Sequence, residues 1–398
     1  MSSFTIRRYQ KNAFIIIEGE VKNDSFYIVK EGLVSVTKKF PVFGEKHQET
    51  LGPGDFFGVV GALSHLPHLE SAVASSNVLL ISINRKQFPI IVQENIPLAI
   101  KIIRFFSKKL REFNDREIDL KVTVHGDNEN FRTLLNIANV YMQELRRSRI
   151  AAYMYRCINY YSSDTQAGRI AREKLEKLEY DTTFTKKTGI FRTYLDGDII
   201  FCENEPADEV YILKHGKVRI SKLINGADAQ IFIMHSGDVF GEMALLDNKT
   251  RSATAVAMED SEILIITKAN FDMMTRKEPQ LITKLITLLA DRIWTSNKIS
   301  MVSYFPDMES KILEVLMVNF ERSRTRLGIG DQTYNFNLSF ADIIFMIGTN
   351  ERIDKLESSF LASHKYIKIE KNSIVCTDMQ QLLRQVGALR AKNLVSKH

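Results

Sequence analysis

One pattern occurs twice in this chain, and it limits the available folds more than any other feature. Residues Phe14 to Val36 (FIIIEGEVKNDSFYIVKEGLVSV) and Asp198 to Ile220 (DIIFCENEPADEVYILKHGKVRI) both run as short stretches of alternating apolar residues broken by turn residues. That period of two marks half-buried strands. Gly32 and Gly216 each follow a strand and a polar turn, where a positive φ is expected. GPGDFFG (Gly52 to Gly58) then parallels SGDVFG (Ser236 to Gly241), and each copy closes on a further apolar strand, NVLLISI and SEILIIT. A shared order over roughly 60 residues predicts two related β-rolls, each followed by helices, rather than two unrelated all-β domains.

The second copy carries chemistry. Its stretch Phe240 to Ala255, FGEMALLDNKTRSATA, places a glycine, a carboxylate and a short apolar turn ahead of an arginine and two small residues. Arg251 offers a charge-assisted fork to phosphate oxygens. A helical turn beginning near Glu242 aims free backbone N–H groups at the same anion. Ser252 and Ala253 are small enough for close backbone approach, and the acceptor-only Glu242 suits a sugar hydroxyl. These residues describe a pocket for a phosphate held beside a ribose; the plainer alternative is an Arg–Glu ion pair on a surface turn.

The stretch resembles the phosphate-binding cassette of cyclic-nucleotide-binding domains. The resemblance implies a site of Gly241, Glu242, Met243, Ala244, Arg251, Ser252 and Ala253: Glu242 on the ribose 2′-hydroxyl, Arg251 on the cyclic phosphate, and the N–H groups of Ala244 and Ser252 completing the anion site. The first copy lacks this chemistry. Val59 stands in place of Glu242, and aligning Ser71-Ala72 with Ser252-Ala253 sets Glu70 opposite Arg251, a charge reversal that repels a phosphate. The first roll is therefore expected not to bind a cyclic nucleotide by the usual mode; a structural or dimer-forming domain is the expected role, and a site for an unrelated ligand the alternative.

At 398 residues the chain has room for two or three domains. A net charge of +6 and a pI near 9.0 permit an acidic partner such as DNA. Cys157, Cys202 and Cys376 are scattered, with no metal spacing and no disulfide framework, so a reducing cytoplasm is the expected compartment. MSSFTIRRYQ lacks a signal-peptide core and no apolar run approaches a membrane span, so no membrane association is expected. No Ser/His/Asp set, metal-spaced histidines or Walker-type glycine loop points to an enzyme, and no cofactor is implied; the expected ligand is cAMP or cGMP.

Between the rolls, residues 96–120 read as the long exit helix of the first roll, and His125-Gly126-Asp127 as a break. The following residues resemble a single tetratricopeptide-like helical pair, which cannot bury its own face and must pack on a roll. Its tyrosines, Tyr141, Tyr153, Tyr155, Tyr160 and Tyr161, read as core or helix contacts. After the cassette, Pro279 opens a helix with a broad apolar face (Leu281, Ile282, Leu285, Leu288, Leu289, Ile293), expected to pair with a second copy through residues 279–304. Thr295-Ser296 resembles the Thr-Ser pair on the dimer helix of the catabolite activator family and implies contact with the base. Trp294 either stacks on the base or, as favoured here, packs at the dimer seam.

The last segment reads as an amphipathic helix, a short strand, a helix capped by Ser339, a turn at Gly348-Thr349-Asn350, a second helix, and a hairpin turning at Lys371-Asn372. This order resembles the winged helix-turn-helix of catabolite-activator/FNR regulators. Relative to that family the turn is one residue short and the recognition helix is acidic (Glu351, Asp354, Glu357). Arg352 and Lys355 are the expected groove residues and Lys371 a backbone contact, with Lys365, Lys368, Arg384, Arg390 and Lys392 available to phosphates.

The expected architecture is thus α+β: two cyclic-nucleotide-binding β-rolls (jelly-roll-like) with exit helices, a helical insert and a C-terminal winged helix-turn-helix. The boundaries fall at 1–122, 123–188, 189–304 and 305–398. The expected function, by resemblance, is a cyclic-nucleotide-gated transcription regulator responsive to cAMP; the competing reading is a cyclic-nucleotide sensor acting through protein contacts, with a winged domain that does not bind DNA. A kinase regulatory subunit also carries tandem rolls, but IRRYQ is not its inhibitory segment.

Overall fold

The computed structural model describes residues 4–20, 24–39, 41, 46–116, 127–178, 188–207, 209–224, 226–241, 250–267, 273, 276–277, 279–323, 332–347, 353–371 and 373–395. Two compact units are present: Met1–Phe88 together with Ala290–His398, and Pro89–Leu289. Among the described residues, no helix is long and apolar enough to cross a membrane.

The repeat in the sequence is a repeat in the fold. The first roll has strands β1 (Thr5–Tyr9), β2 (Phe14–Ile16), β3 (Ser25–Glu31), β4 (Val34–Thr37), β5 (Gln48–Leu51), β6 (Phe56–Phe57), β7 (Ser71–Ala74) and β8 (Val78–Asn84). They form two four-stranded sheets, β1-β8-β3-β6 and β2-β7-β4-β5. The second roll has β9 (Phe191–Tyr194), β10 (Ile199–Phe201), β11 (Glu209–His215), β12 (Val218–Ile224), β13 (Ala227–Met234), β14 (Val239–Phe240), β15 (Thr254–Ala257) and β16 (Ser261–Thr267). Its sheets, β9-β16-β11-β14 and β10-β15-β12-β13, repeat the first pair strand for strand. The inward sides supply each core: Tyr27, Val29, Val34, Ala72 and Leu80 in the first roll, Tyr211, Leu213, Val218, Ala255 and Ile263 in the second. Gly32 and Gly216, with φ of 87° and 98°, turn the β3–β4 and β11–β12 hairpins, where a side chain would collide with Asn77 or Ser261.

In the unit Pro89–Leu289, helix Ile96–Arg116 is followed by an insert with, among the described residues, three helices, Asp127–Gln143, Ser148–Ser162 and Gln166–Lys177, and not the expected pair. Thr165 makes the extra break: its Oγ1 accepts the Gly168 N–H at 3.1 Å and starts a new helix. The insert buries Tyr141, Tyr155, Ile158 and Ala171 in a core that takes in Cys202, Ile199, Leu223 and Val256 of the second roll. Tyr141 donates to Asp228 at 2.8 Å and Tyr153 to Glu205 at 3.2 Å. Four of the five tyrosines are core or half-buried contacts; Tyr160 is exposed.

Helix Pro279–Val302 begins at the expected proline. Ile282, Leu285, Leu289, Ile293 and Trp294 are buried within the single chain, so most of the face expected to meet a second copy is already covered. Trp294 does not lie at a dimer seam. It is fully buried beside Leu66 and Val318, with its indole N–H donating to the Pro67 carbonyl at 2.9 Å. That carbonyl belongs to the first roll, and a buried indole needs an acceptor.

The unit with the first roll closes with helix Met308–Ser323, β17 (Tyr334–Asn335), helices Phe340–Ile347 and Ile353–Ser363, hairpin β18 (Ile367–Glu370) and β19 (Ser373–Cys376), and helix Met379–Val395. Ser339 caps its helix reciprocally with Asp342, through Asp342 N–H to Ser339 Oγ at 3.1 Å and Ser339 N–H to Asp342 Oδ2 at 2.8 Å. Lys371, at φ 47°, turns the hairpin.

Candidate functional site

The candidate site is built around Arg251, whose segment joins the loop after β14 to strand β15. The backbone of Arg251 is clamped to the loop after β10: its carbonyl accepts the Asn204 N–H at 2.8 Å, and its own N–H donates to the Glu205 carbonyl at 2.9 Å. The side chain turns inward and is 4% exposed. Nη1 donates to the carbonyls of Glu209 at 2.8 Å and Gly241 at 2.7 Å, and Nη2 to the Tyr211 hydroxyl at 3.1 Å. The guanidinium carbon lies 4.3 Å from the Phe201 ring centroid and 5.0 Å from that of Tyr211.

A second layer holds this arrangement. Tyr211 donates to Glu209 Oε2 at 2.9 Å, and Glu209 is chelated by Arg192 at 2.9 and 2.7 Å. Burial is the largest influence on the Tyr211 phenol and holds its pKa well above the usual value. The hydroxyl therefore stays protonated, accepting from Arg251 while donating to Glu209. Gly241 has φ 73°, and a Cβ there would sit 2.6 Å from Arg251 Nη1 and 2.8 Å from Tyr211 Cδ2. Only glycine lets the arginine lie against that backbone.

The charge balance points to an anion. Glu209 is already paired with Arg192, and among the described residues no carboxylate forms an ion pair with Arg251. Its Nε is buried and lacks a hydrogen-bond partner among the described residues. A cation withdrawn from water in this way is costly unless an anion joins it.

Of the residues expected from sequence, Gly241, Arg251, Ser252 and Ala253 come together here, Ser252 half-buried and Ala253 buried. Glu242, Met243 and Ala244 lie outside the described residues. Thr295 and Ser296 are half-buried on the helix Pro279–Val302, in the segment belonging to the unit with the first roll. Thr295 donates its hydroxyl to the Asp291 carbonyl at 2.9 Å. Lys355 and Lys371 are exposed, and Arg352 lies outside the described residues. Arg390 is not available to a phosphate: it donates to Glu314 and Glu321 in a compact ion cluster, its shortest contact to Glu314 being 2.7 Å.

Sequence reasoning missed Phe201, Tyr211, Glu209 and Arg192. Tyr27, the partner of Tyr211 in the repeat, was the available signal for one of them. The first roll also requires a correction. Its Gly19 N–H donates to the His68 carbonyl and the His68 N–H to Glu20, repeating the two Arg251 bonds. Ser71 accepts the Glu18 N–H as Thr254 accepts that of Glu203. The counterpart of Arg251 is thus His68, and Glu70 stands two residues further on, where the second roll has Ala253. The Glu70 carboxylate accepts the Gly58 N–H at 3.0 Å, so an internal anion meets the glycine equivalent to Gly241.

The family model described as the cyclic nucleotide-binding domain matches residues 6–95 and 191–278, one match on each roll. Two cyclic nucleotide-binding domains are therefore present in this chain. The chain is 25% identical over 191 residues to the CRP-like cAMP-activated global transcriptional regulator of Mycobacterium tuberculosis, covering 48% of this chain and 84% of that protein. It is 31% identical over 137 residues to the cyclic AMP receptor protein of Thermus thermophilus, covering 34% of this chain and 56% of that one. A 22% identity over 356 residues to human cGMP-dependent protein kinase 2 covers 89% of this chain but 34% of the kinase.

Proposed function

We propose that the second roll binds a cyclic nucleotide, cAMP by preference, with Arg251 pairing the cyclic phosphate. The observation that carries this reading is the buried guanidinium of Arg251, which has no carboxylate partner among the described residues, in a roll that matches the cyclic nucleotide-binding domain. Ligand phosphate takes up Nε and competes for the Nη groups now donated to the Glu209 and Gly241 carbonyls. Glu242 receives the ribose hydroxyl, and the N–H groups of Ala244 and Ser252 complete the anion site.

The chain then acts as a ligand-gated transcription regulator of the catabolite-activator/FNR type. Its C-terminal helices and hairpin are a winged helix-turn-helix that contacts DNA through Arg352, Lys355 and Lys371. The name of one relative, a cAMP-activated global transcriptional regulator, supports this reading. Homodimerisation through residues 279–304 uses the half-buried Leu281 and Leu288, since Trp294 is taken. Coupling between ligand and DNA sites of this kind is worth ~1–3 kcal/mol. Cys157, Cys202 and Cys376, which form no disulfide among the described residues, suit a reducing cytoplasm.

Isothermal titration of the full chain with cAMP and cGMP tests the ligand. Micromolar or tighter binding to the wild type and none to Arg251→Ala, with the same circular dichroism spectrum, is the expected result; equal affinity in both proteins refutes the assignment. A second reading, a sensor acting through protein contacts, draws on the engagement of Arg390 by Glu314 and Glu321. DNA retention that weakens steeply between low and moderate salt favours the regulator; no retention at low salt with ligand bound favours the sensor.

A further inference from the structure

Cys157 is distant in sequence from Cys202 and Glu205, which share one loop, but all three converge in space. Their ligand atoms, two thiol sulfurs and a carboxylate oxygen, all lie within 4.8 Å of one another, and all three residues are buried. Cys157 comes from the second helix of the insert, while Cys202 and Glu205 come from the loop after β10. The loop is held in shape independently of any ion: Glu205 Oε2 accepts the Cys202 N–H at 3.0 Å and the Tyr153 hydroxyl at 3.2 Å. The scattered cysteines that showed no metal spacing in sequence therefore meet because the insert packs on the second roll.

We propose that Cys157, Cys202 and Glu205 form a binding site for a thiophilic divalent cation of the zinc class, clasping the insert to the second roll. The donor set fits the chemistry: two thiolates and a carboxylate are standard zinc ligands, and three protein ligands leave a fourth position open. Tetrahedral bonds of ~2.3 Å to sulfur set the two sulfurs about 3.8 Å apart, so closing on an ion requires about 1 Å of movement or less. Binding displaces one proton from each thiol and holds both as thiolates, and the divalent charge offsets most of the negative charge of the three donors. Tyr153 is a positioning residue, donating to the same Glu205 oxygen that accepts the Cys202 N–H.

The site has a consequence for Arg251. The same loop carries Asn204, whose N–H donates to the Arg251 carbonyl, and Glu205, whose carbonyl accepts the Arg251 N–H. Fixing Cys202 and Glu205 to the insert thus stiffens the backbone beside the candidate anion site.

Cadmium titration of the full chain, reduced and stripped with a chelator, tests the site. A thiolate-to-cadmium absorption band should rise to a plateau at one equivalent per chain. Cys157→Ser and Cys202→Ser should each halve the plateau, Glu205→Gln should keep its height but weaken binding about tenfold or more, and Cys376→Ser should change nothing. Should the serine variants not fold, alkylation mapping of the wild type in mild urea serves instead: one equivalent of cadmium must slow modification of Cys157 and Cys202 together, with Cys376 unaffected. Absence of the band at one equivalent, a band lost only in Cys376→Ser, or no joint protection overturns the proposal.

Discussion

Glu203→Gln gives the sharpest test of how the second roll is held together. Glu203 lies in the loop after β10 and is 7% exposed. Its Oε2 accepts the Leu223 N–H at 3.3 Å, and Lys222 Nζ is 3.9 Å from Oε1. Burial outweighs both, raising the carboxyl pKa from 4.5 to about 7. The sign follows from comparing states. Below pH 4.5 the group is protonated whether folded or unfolded, and its contribution is fully present. Between 4.5 and 7 only the unfolded chain ionises readily, so stability falls as pH rises. Above 7 the folded protein carries the full cost of a buried charge, on the order of 3 kcal/mol at ~1.4 kcal/mol per pH unit. Gln keeps the acceptor for Leu223 and cannot ionise. The variant should match the wild type near pH 4.5 and exceed it by up to ~3 kcal/mol at pH 8. Native-state amide exchange along Val218–Ile224 reads this locally, since Trp294 fluorescence reports on the other unit. Equal protection at pH 8, or a gain at pH 4.5 as large as at pH 8, would refute the reasoning.

Three further outcomes are expected. Trp294→Phe leaves the Pro67 carbonyl without its indole donor and should lower stability by roughly 1–3 kcal/mol in urea unfolding, the cost of an unsatisfied buried acceptor. Arg390→Met strands the buried Glu314; because the Arg390 side chain is 36% exposed, the loss in urea unfolding should be roughly 2 kcal/mol rather than the ~3–5 of a fully buried pair. Because Glu70 occupies the Gly58 N–H, the first roll should add no cyclic-nucleotide binding at micromolar ligand, even in Glu70-intact chains whose second site is disabled by Arg251→Ala; a residual equivalent in calorimetry would contradict that.

Local chemistry was legible without coordinates wherever it lay within a few residues. An apolar run marked the strand Ser261–Thr267 residue for residue, Pro279 marked its helix start, Ser339 its cap, and the glycine–arginine spacing marked the candidate anion site. These depend on backbone geometry and on side chains close in the chain, which a single sequence contains. What required the fold was register and long-range partnership. Matching Ser71-Ala72 to Ser252-Ala253 misplaced the first-roll counterpart of Arg251 by two residues. A shift of two keeps every strand residue on its correct face, so the hydrophobic pattern cannot detect it, whereas the Gly19–His68 and Asn204–Arg251 hydrogen bonds decide it at once.

The apolar face of Pro279–Val302 signalled burial but not its occupant; the nonpolar attraction is non-directional, and only packing assigned Trp294 to the first roll. The same holds for chemistry assembled across elements. Phe201 and Tyr211 beneath Arg251, and Cys157 beside Cys202, come together because sheets and helices bring distant residues within a few ångströms, a proximity that no spacing along the chain encodes.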